Sequence, residues 1–125
     1  MHPETHLCRR YQQAAHMLSK RWTSLIVKAL LASPLHFNQI AEQLETISDR
    51  VLSERLKELI TEGIIERKVY AECPVRIEYA LTTKGKDLAP IIGEIERWSQ
   101  RWIVLPTEEV PSADPLLLEE MNLCE

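Results

Sequence analysis

With only three glycines in 125 residues, the chain has no glycine-rich loop of the kind that cradles phosphates. It also lacks a metalloprotease or deaminase motif, and no serine sits in the strand–turn–helix context of a nucleophile, so enzyme chemistry is not expected. No run approaches 18 apolar residues, and a membrane-spanning helix is not expected either. The first residues, Met-His-Pro-Glu-Thr-His, lack the basic-then-apolar pattern of a secretion signal, and the expectation is a cytoplasmic protein. Cys8, Cys73 and Cys124 are odd in number and widely spaced, which argues against a disulfide framework and against a cysteine-based zinc site. His2, His6 and Cys8 follow a His-x3-His-x-Cys spacing. Scattered histidines at a flexible terminus are the commoner origin of such a pattern, and no metal or cofactor is expected. Internal repeats and low-complexity tracts are missing too.

What the chain does have is charge, unevenly placed. The net charge is −4 from 15 basic and 19 acidic residues. Residues 104–125 hold six of the acids (Glu108, Glu109, Asp114, Glu119, Glu120 and Glu125) and no lysine or arginine. The remaining 1–103 therefore carry fifteen basic against thirteen acidic residues, a near-neutral body compatible with nucleic acid but not requiring it. At this length one domain is expected. It is placed at 1–103, with 104–125 as an acidic tail whose Pro106, Pro111 and Pro115 suit an extended linker.

The strongest local signal runs from Thr46 to Glu62. Ser48 is suited to cap a helix, because its hydroxyl can accept from a free N–H of the first turn. Asp49 then lies where the helix dipole favours an acid. Leu52, Leu56, Leu59 and Ile60 recur at the spacing of one buried stripe. At about 100° per residue, Arg50, Ser53, Glu54 and Lys57 fall on the opposite side. Those side-chain types can read base edges: arginine for guanine, serine for either partner, glutamate for cytosine. A solvated face of mixed charge looks similar. Gly63 ends the helix where a left-handed residue is usual.

Upstream, residues 7–18 predict a helix with an apolar stripe through Leu7, Tyr11, Ala14, Ala15 and Leu18. A second helix is expected with Thr23 as its cap and Leu25, Ile26, Ala29 and Leu30 buried, ending at Ser33-Pro34. Leu35-His36-Phe37 is long enough only for a scrap of strand. Asn38 is expected to cap a third helix, Gln39 to Leu44. Two short helices joined by a tight turn, the second with a polar outer face, form a helix-turn-helix. After Gly63 the period changes to two. Ile64–Tyr70 and Val75–Leu81 predict strands, with Ala71-Glu72-Cys73-Pro74 as the hairpin tip. Thr82-Thr83-Lys84-Gly85 is expected to open one long helix with Leu88, Ile91, Ile92, Ile95, Trp98 and Trp102 along one side. That stripe exceeds what so small a core can cover, which points to a second subunit. The expected fold class is mainly α with a small β-hairpin wing (α+β), a winged helix-turn-helix dimerising through its terminal helices.

Several segments, in this order and spacing, resemble the HxlR-type transcriptional regulators, a branch related to the MarR regulators. They are Cys8; Lys20-Arg21-Trp22-Thr23; Leu35-His36-Phe37-Asn38-Gln39-Ile40; Ile47 through Leu56; Glu62 through Arg67; and Pro74 through Gly85. The likeness covers about residues 7–103. It implies a homodimer on a pseudo-palindromic double-stranded DNA operator, usually repressing neighbouring genes. In some members the N-terminal cysteine, here Cys8, senses oxidants or electrophiles. Cys73 at the wing tip, where an apolar residue is more usual, and the acidic tail depart from the family pattern.

On this reading Arg50, Ser53, Glu54 and Lys57 are base-edge or groove residues. Ser48, Arg55, Arg67 and Arg76 are phosphate contacts. Arg55 has an equally weighted alternative, an ion pair with Glu58 or Glu62. Asn38 and Gln39 are candidates for phosphate contact from the first turn of their helix, with capping alone as the alternative. Cys8 adjoins Arg9 and Arg10 near a helix start, surroundings that favour a thiolate, against the alternative of an inert, partly buried thiol. Two rival functions stay open: a winged-helix protein-interaction module without DNA binding, and a MarR-like regulator of a small phenolic ligand.

Overall fold

Leucine and isoleucine at helical spacing make the centre of the fold. Ile26, Val27 and Leu30, then Ile40, then Leu52, Leu56 and Leu59, are buried, and so are Ile64, Ile65, Ala80 and Leu81 from the hairpin. Removing any one of the large side chains to alanine costs about 2–5 kcal/mol. In the computed structural model, residues 8–106 are described. They form α1 (Arg9–Ser19), α2 (Thr23–Ala32), α3 (Phe37–Leu44), α4 (Asp49–Thr61), β1 (Ile65–Tyr70), β2 (Arg76–Leu81), α5 (Thr83–Lys86) and α6 (Ala89–Trp102). The chain divides into two units, Met1–Ala89 and Pro90–Glu125.

In the first unit β1 and β2 are antiparallel, with Ile65 opposite Leu81, Arg67 opposite Tyr79 and Tyr70 opposite Arg76. Leu35 adds a single bridge to Tyr79, through N–H···O bonds of 3.0 and 2.8 Å. That is the scrap of strand its short apolar run predicts. The bridge ties the connection before α3 to the wing.

Four local expectations change. Thr23 does not cap α2. It is the first helical residue and is buried, while Trp22 precedes the helix in a left-handed conformation (φ 79°). The buried side of α2 then becomes Thr23, Ile26, Val27 and Leu30, and Leu25 is half exposed. Asn38 does not cap α3 either. His36 holds that position, and the side chain of Gln39 reaches back to accept from the His36 N–H at 2.8 Å. The Leu35 bridge extends the backbone just before His36, and the helix starts at Phe37, two residues earlier than a cap at Asn38 would allow. No residue of α1 is buried, and Leu7 of its expected stripe lies outside the described residues.

The single long helix expected after Thr82 is two. The Thr82 hydroxyl accepts from the Gly85 N–H at 3.1 Å and caps the short α5. A new helix then starts at Ala89-Pro90. Proline has no N–H to donate and fits only the first turn of a helix, so it favours a restart at that point.

The second unit contributes α6. Ile92 is buried, whereas Ile91, Ile95, Trp98 and Trp102 are 44–59% exposed and recur on one stripe. Arg97 pairs with Glu94 on the same helix, and its guanidinium holds that carboxyl below the ordinary glutamate range.

Candidate nucleic-acid interface

The turn between α3 and α4 is built from three residues with separate tasks. Glu45 takes positive φ (61°) with ψ −66°, and the Thr46 N–H donates to the Leu44 carbonyl at 2.7 Å. This is a γ-turn with positive φ, a strained geometry for a residue with a side chain. Ile47 is buried and anchors the loop. Ser48 then caps α4 as its sequence predicts, its Oγ accepting from the Val51 N–H at 3.2 Å.

At the other end, Gly63 (φ 78°) closes α4. Its N–H donates to Ile60 O at 3.0 Å, and the Ile64 N–H donates to Leu59 O at 2.9 Å. Two such reversed bonds satisfy the last carbonyls of the helix and turn the chain into β1. Helix and hairpin are therefore joined by only three residues, Glu62, Gly63 and Ile64.

Between these ends α4 has the predicted division. Leu52, Leu56 and Leu59 are buried and Ile60 is half-buried. Arg50, Ser53, Glu54 and Lys57 are all exposed. The Arg50 side chain is 86% exposed and lies 3.8 Å from Glu54, a loose surface pair that holds it weakly. Lys57 makes no ion pair among the described residues.

Arg55 is different. Its Nε donates to Arg21 O at 3.0 Å and its Nη1 to Glu58 Oε1 at 3.0 Å. Lys20 Nζ reaches the other oxygen of Glu58 at 3.2 Å. Of the two readings open for Arg55, the ion pair with Glu58 is the one present. It ties α4 to the segment between α1 and α2. Gln39 is likewise engaged as the α3 cap, while Asn38 beside it is exposed.

Residues directly opposite in an antiparallel pair share a face, so the register separates the basic residues of the wing. Arg67 shares a face with Tyr79, Val69 and Ile77, and Lys68 and Arg76 lie on the other face with Tyr70 and Glu78. Arg76 is held by Glu72 at 3.6 Å and lies 4.5 Å over the Tyr70 ring. Lys68 pairs with Glu66 at 3.4 Å. Arg67 is exposed and makes no ion pair among the described residues. Cys73 is exposed at the tip.

Cys8 is the residue before the first turn of α1 and is exposed. His2 and His6 lie outside the described residues, as do Cys124 and residues 107–125. Among the described residues no helix is long and apolar enough to cross a membrane, and no group of three metal-ligating side chains is gathered. Sequence reasoning missed His36. The His36 ring donates through Nδ1 to Ile77 O at 2.9 Å, locking α3 to the wing. No local pattern announces a contact across 41 residues.

Helix, tight turn, second helix with an exposed polar face, then a β-hairpin define a winged helix-turn-helix. Residues 17–106 match the HxlR-like helix-turn-helix family, and the chain belongs to it. It is 53% identical over 100 residues to the HTH-type transcriptional regulator YvaP of Bacillus subtilis, across 80% of this chain and 93% of that one. It is 38% identical over 96 residues to YodB of the same organism, across 77% and 86%. The reduced form of YodB superposes with a TM-score of 0.71 over 78% of this chain and 96% of that one, and YodB has also been solved diamide-treated and quinone-bound. The redox regulator HypR in its reduced form has a TM-score of 0.70 at 26% identity, over 74% and 91%. The chain is thus a transcriptional regulator of helix-turn-helix type.

Proposed function

We propose that this chain is a homodimeric, sequence-specific DNA-binding repressor whose DNA affinity is set by the state of Cys8. The observation that carries the reading is the outer face of α4. Arg50, Ser53, Glu54 and Lys57 are all exposed opposite Leu52, Leu56 and Leu59, and so are free to meet base edges in a major groove. Ser48 at the helix start, with Arg67 and Arg76 on the wing, supplies phosphate contacts, as does Asn38. Gln39 and Arg55 act by holding α3 and α4 in place.

The exposed apolar stripe on α6 supports the dimer. Ile91, Ile95, Trp98 and Trp102 are of the size and character that subunit interfaces bury. Pairing through terminal helices would present two copies of α4 to successive major grooves, about 34 Å apart. Cys8 is exposed at the start of α1. Reaction of its thiol with an oxidant or electrophile would displace that helix and spoil the spacing. The likeness to YodB, known in reduced, diamide-treated and quinone-bound forms, supports this choice of signal.

The test is selection of bound duplexes from a random pool, with and without diamide. The proposal predicts enrichment of an inverted repeat by the reduced protein, loss of binding on treatment and recovery with a thiol. A Cys8→Ser protein that still lost its DNA on diamide treatment would remove the sensor from the proposal.

A further inference from the structure

His36 stands where a local preference is set aside. The residue before a helix is usually Ser, Thr, Asp or Asn, whose short side chain accepts from a first-turn N–H. The His36 ring has another task, because its Nδ1 lies 2.9 Å from Ile77 O. A carbonyl oxygen only accepts, so Nδ1 carries the proton, and a protonated ring nitrogen has no in-plane lone pair left for a helix N–H. The ring is placed to cap α3 by accepting from the Gln39 N–H, but it cannot do both. A good cap is thus exchanged for a contact across 41 residues, a local departure of the kind that marks a functional demand.

The contact falls at a mechanical boundary of the wing. In an antiparallel pair the N–H and C=O of one residue point to the same side, and residues two apart point the same way. Tyr79 turns both groups away from β1, where they bond Leu35 at 2.8 and 3.0 Å. Ile77 therefore also turns its carbonyl outward, and His36 takes it. The outer edge of β2 is fastened at Tyr79 and Ile77 and nowhere nearer the tip. Among the described residues no hydrogen bond or ion pair joins α3 to residues 71–76. A groove of about 410 Å³ lies between them, with Phe37 and Asn38 on one wall and Cys73, Pro74 and Val75 on the other. Arg67, opposite Tyr79, lies beside the Leu35 bridge, whereas Arg76, opposite Tyr70, lies beyond the last fastening.

We infer that His36 is a positioning residue for duplex binding: its bond to Ile77 sets the pitch of the outer wing against α3, and so the reach of Arg76 to a phosphate. The inference rests on the DNA-binding proposal, in which the wing meets phosphates. Without the bond the hairpin pivots at Tyr79, and Arg76 swings with the tip while Arg67 and the outer face of α4 keep their places. His36 is half-buried and acts only through Ile77. A phosphate contact carries no sequence information, so losing this one weakens every duplex alike.

The test is the affinity of the full chain for the selected operator and for random duplex across a salt series. His36→Ser, His36→Asn, Arg67→Ala and Arg76→Ala are measured singly, and His36→Ser is also combined with each arginine change. Serine caps α3 but is too short to reach Ile77, so it removes the link and keeps the helix start. Asparagine also caps, and carries an amide N–H at the place of Nδ1. His36→Ser should weaken both duplexes by the same factor and reduce the salt slope by about one, as Arg76→Ala does. Added to Arg76→Ala it should cost nothing further, whereas with Arg67→Ala the two losses should multiply. His36→Asn should bind like the natural chain. A natural slope in His36→Ser, losses that multiply with Arg76→Ala, or an asparagine variant no better than the serine one would overturn the positioning role and leave DNA binding standing. A natural chain whose affinity ignores salt would instead remove the DNA-binding proposal, and the role with it.

Discussion

Arg55 Nε donates to the backbone carbonyl of Arg21 at 3.0 Å, across 34 residues of sequence. With its second bond to Glu58, this makes a residue on the flank of α4 part of the scaffold. Two partly exposed hydrogen bonds of this kind contribute about 1–2 kcal/mol after allowance for solvent. Arg55→Ala should lower urea-unfolding stability by that amount. Arg55→Lys should recover less than half, because an ammonium cannot present the same fork of donors. Unchanged stability in Arg55→Ala would move the residue back among the phosphate contacts.

Strain at Glu45 gives a second prediction. A residue with a side chain at φ 61° and ψ −66° is held there against a preference of about 1–3 kcal/mol. Glu45→Gly relieves that strain but gains freedom in the unfolded chain, and a net stabilisation of about 1 kcal/mol is expected. Glu45→Val, branched at Cβ, should lose at least as much. Thermal denaturation reads both, since about 1 kcal/mol moves the midpoint of a domain this size by roughly 4–8 °C.

Gly63 and Gly85 should rank in the opposite order from the one their φ values suggest. Gly63 has the left-handed backbone, but a Cβ there would meet nothing closer than Lys84 Cδ at 3.9 Å. Its replacement by alanine should cost about 1–2 kcal/mol of conformational strain. A Cβ on Gly85 would lie 2.2 Å from the carbonyl oxygen of Ile64, which is backbone and cannot swing aside. Gly85→Ala should cost about 3 kcal/mol or more, because the strand start and α5 must separate. Equal midpoints for the two variants would contradict the ranking.

On α6, Ile95 and Trp98 are 52% and 59% exposed. Charging that stripe with Ile95→Glu and Trp98→Glu together should convert a dimer into a monomer in sedimentation velocity while leaving the helical circular dichroism of the subunit in place. A dimer that survived both changes would place the subunit interface elsewhere.

Much of this architecture was legible in the sequence. The stripe of Leu52, Leu56 and Leu59, the cap at Ser48, the stop at Gly63 and the alternation of β1 and β2 all follow from local periodicity and turn chemistry. What periodicity could not show were relations between distant segments. His36 replaces Asn38 as a cap because Leu35 bridges to Tyr79. Thr23 is buried because Trp22 turns the chain with a left-handed residue. Arg55 is engaged because Arg21 happens to offer a carbonyl. The face on which Arg67 or Arg76 lies needed the register, and a one-residue slip would have exchanged them. Candidate reading residues on α4 were the most legible part of the site, since exposure opposite a buried stripe is itself periodic.

Whether the outer face of α4, with the wing, engages duplex DNA is tested most directly by duplex affinity across a salt series for the natural chain, Arg50→Ala and Arg67→Ala. On the selected operator, the natural chain should lose affinity steeply and linearly on a log–log plot. Arg67→Ala should weaken all duplexes alike and reduce the slope by about one, whereas Arg50→Ala should cost about 1–3 kcal/mol on the operator and little on random sequence. A flat salt dependence, or identical losses for Arg50→Ala on operator and random duplexes, would contradict the account and favour a winged helix that binds protein instead.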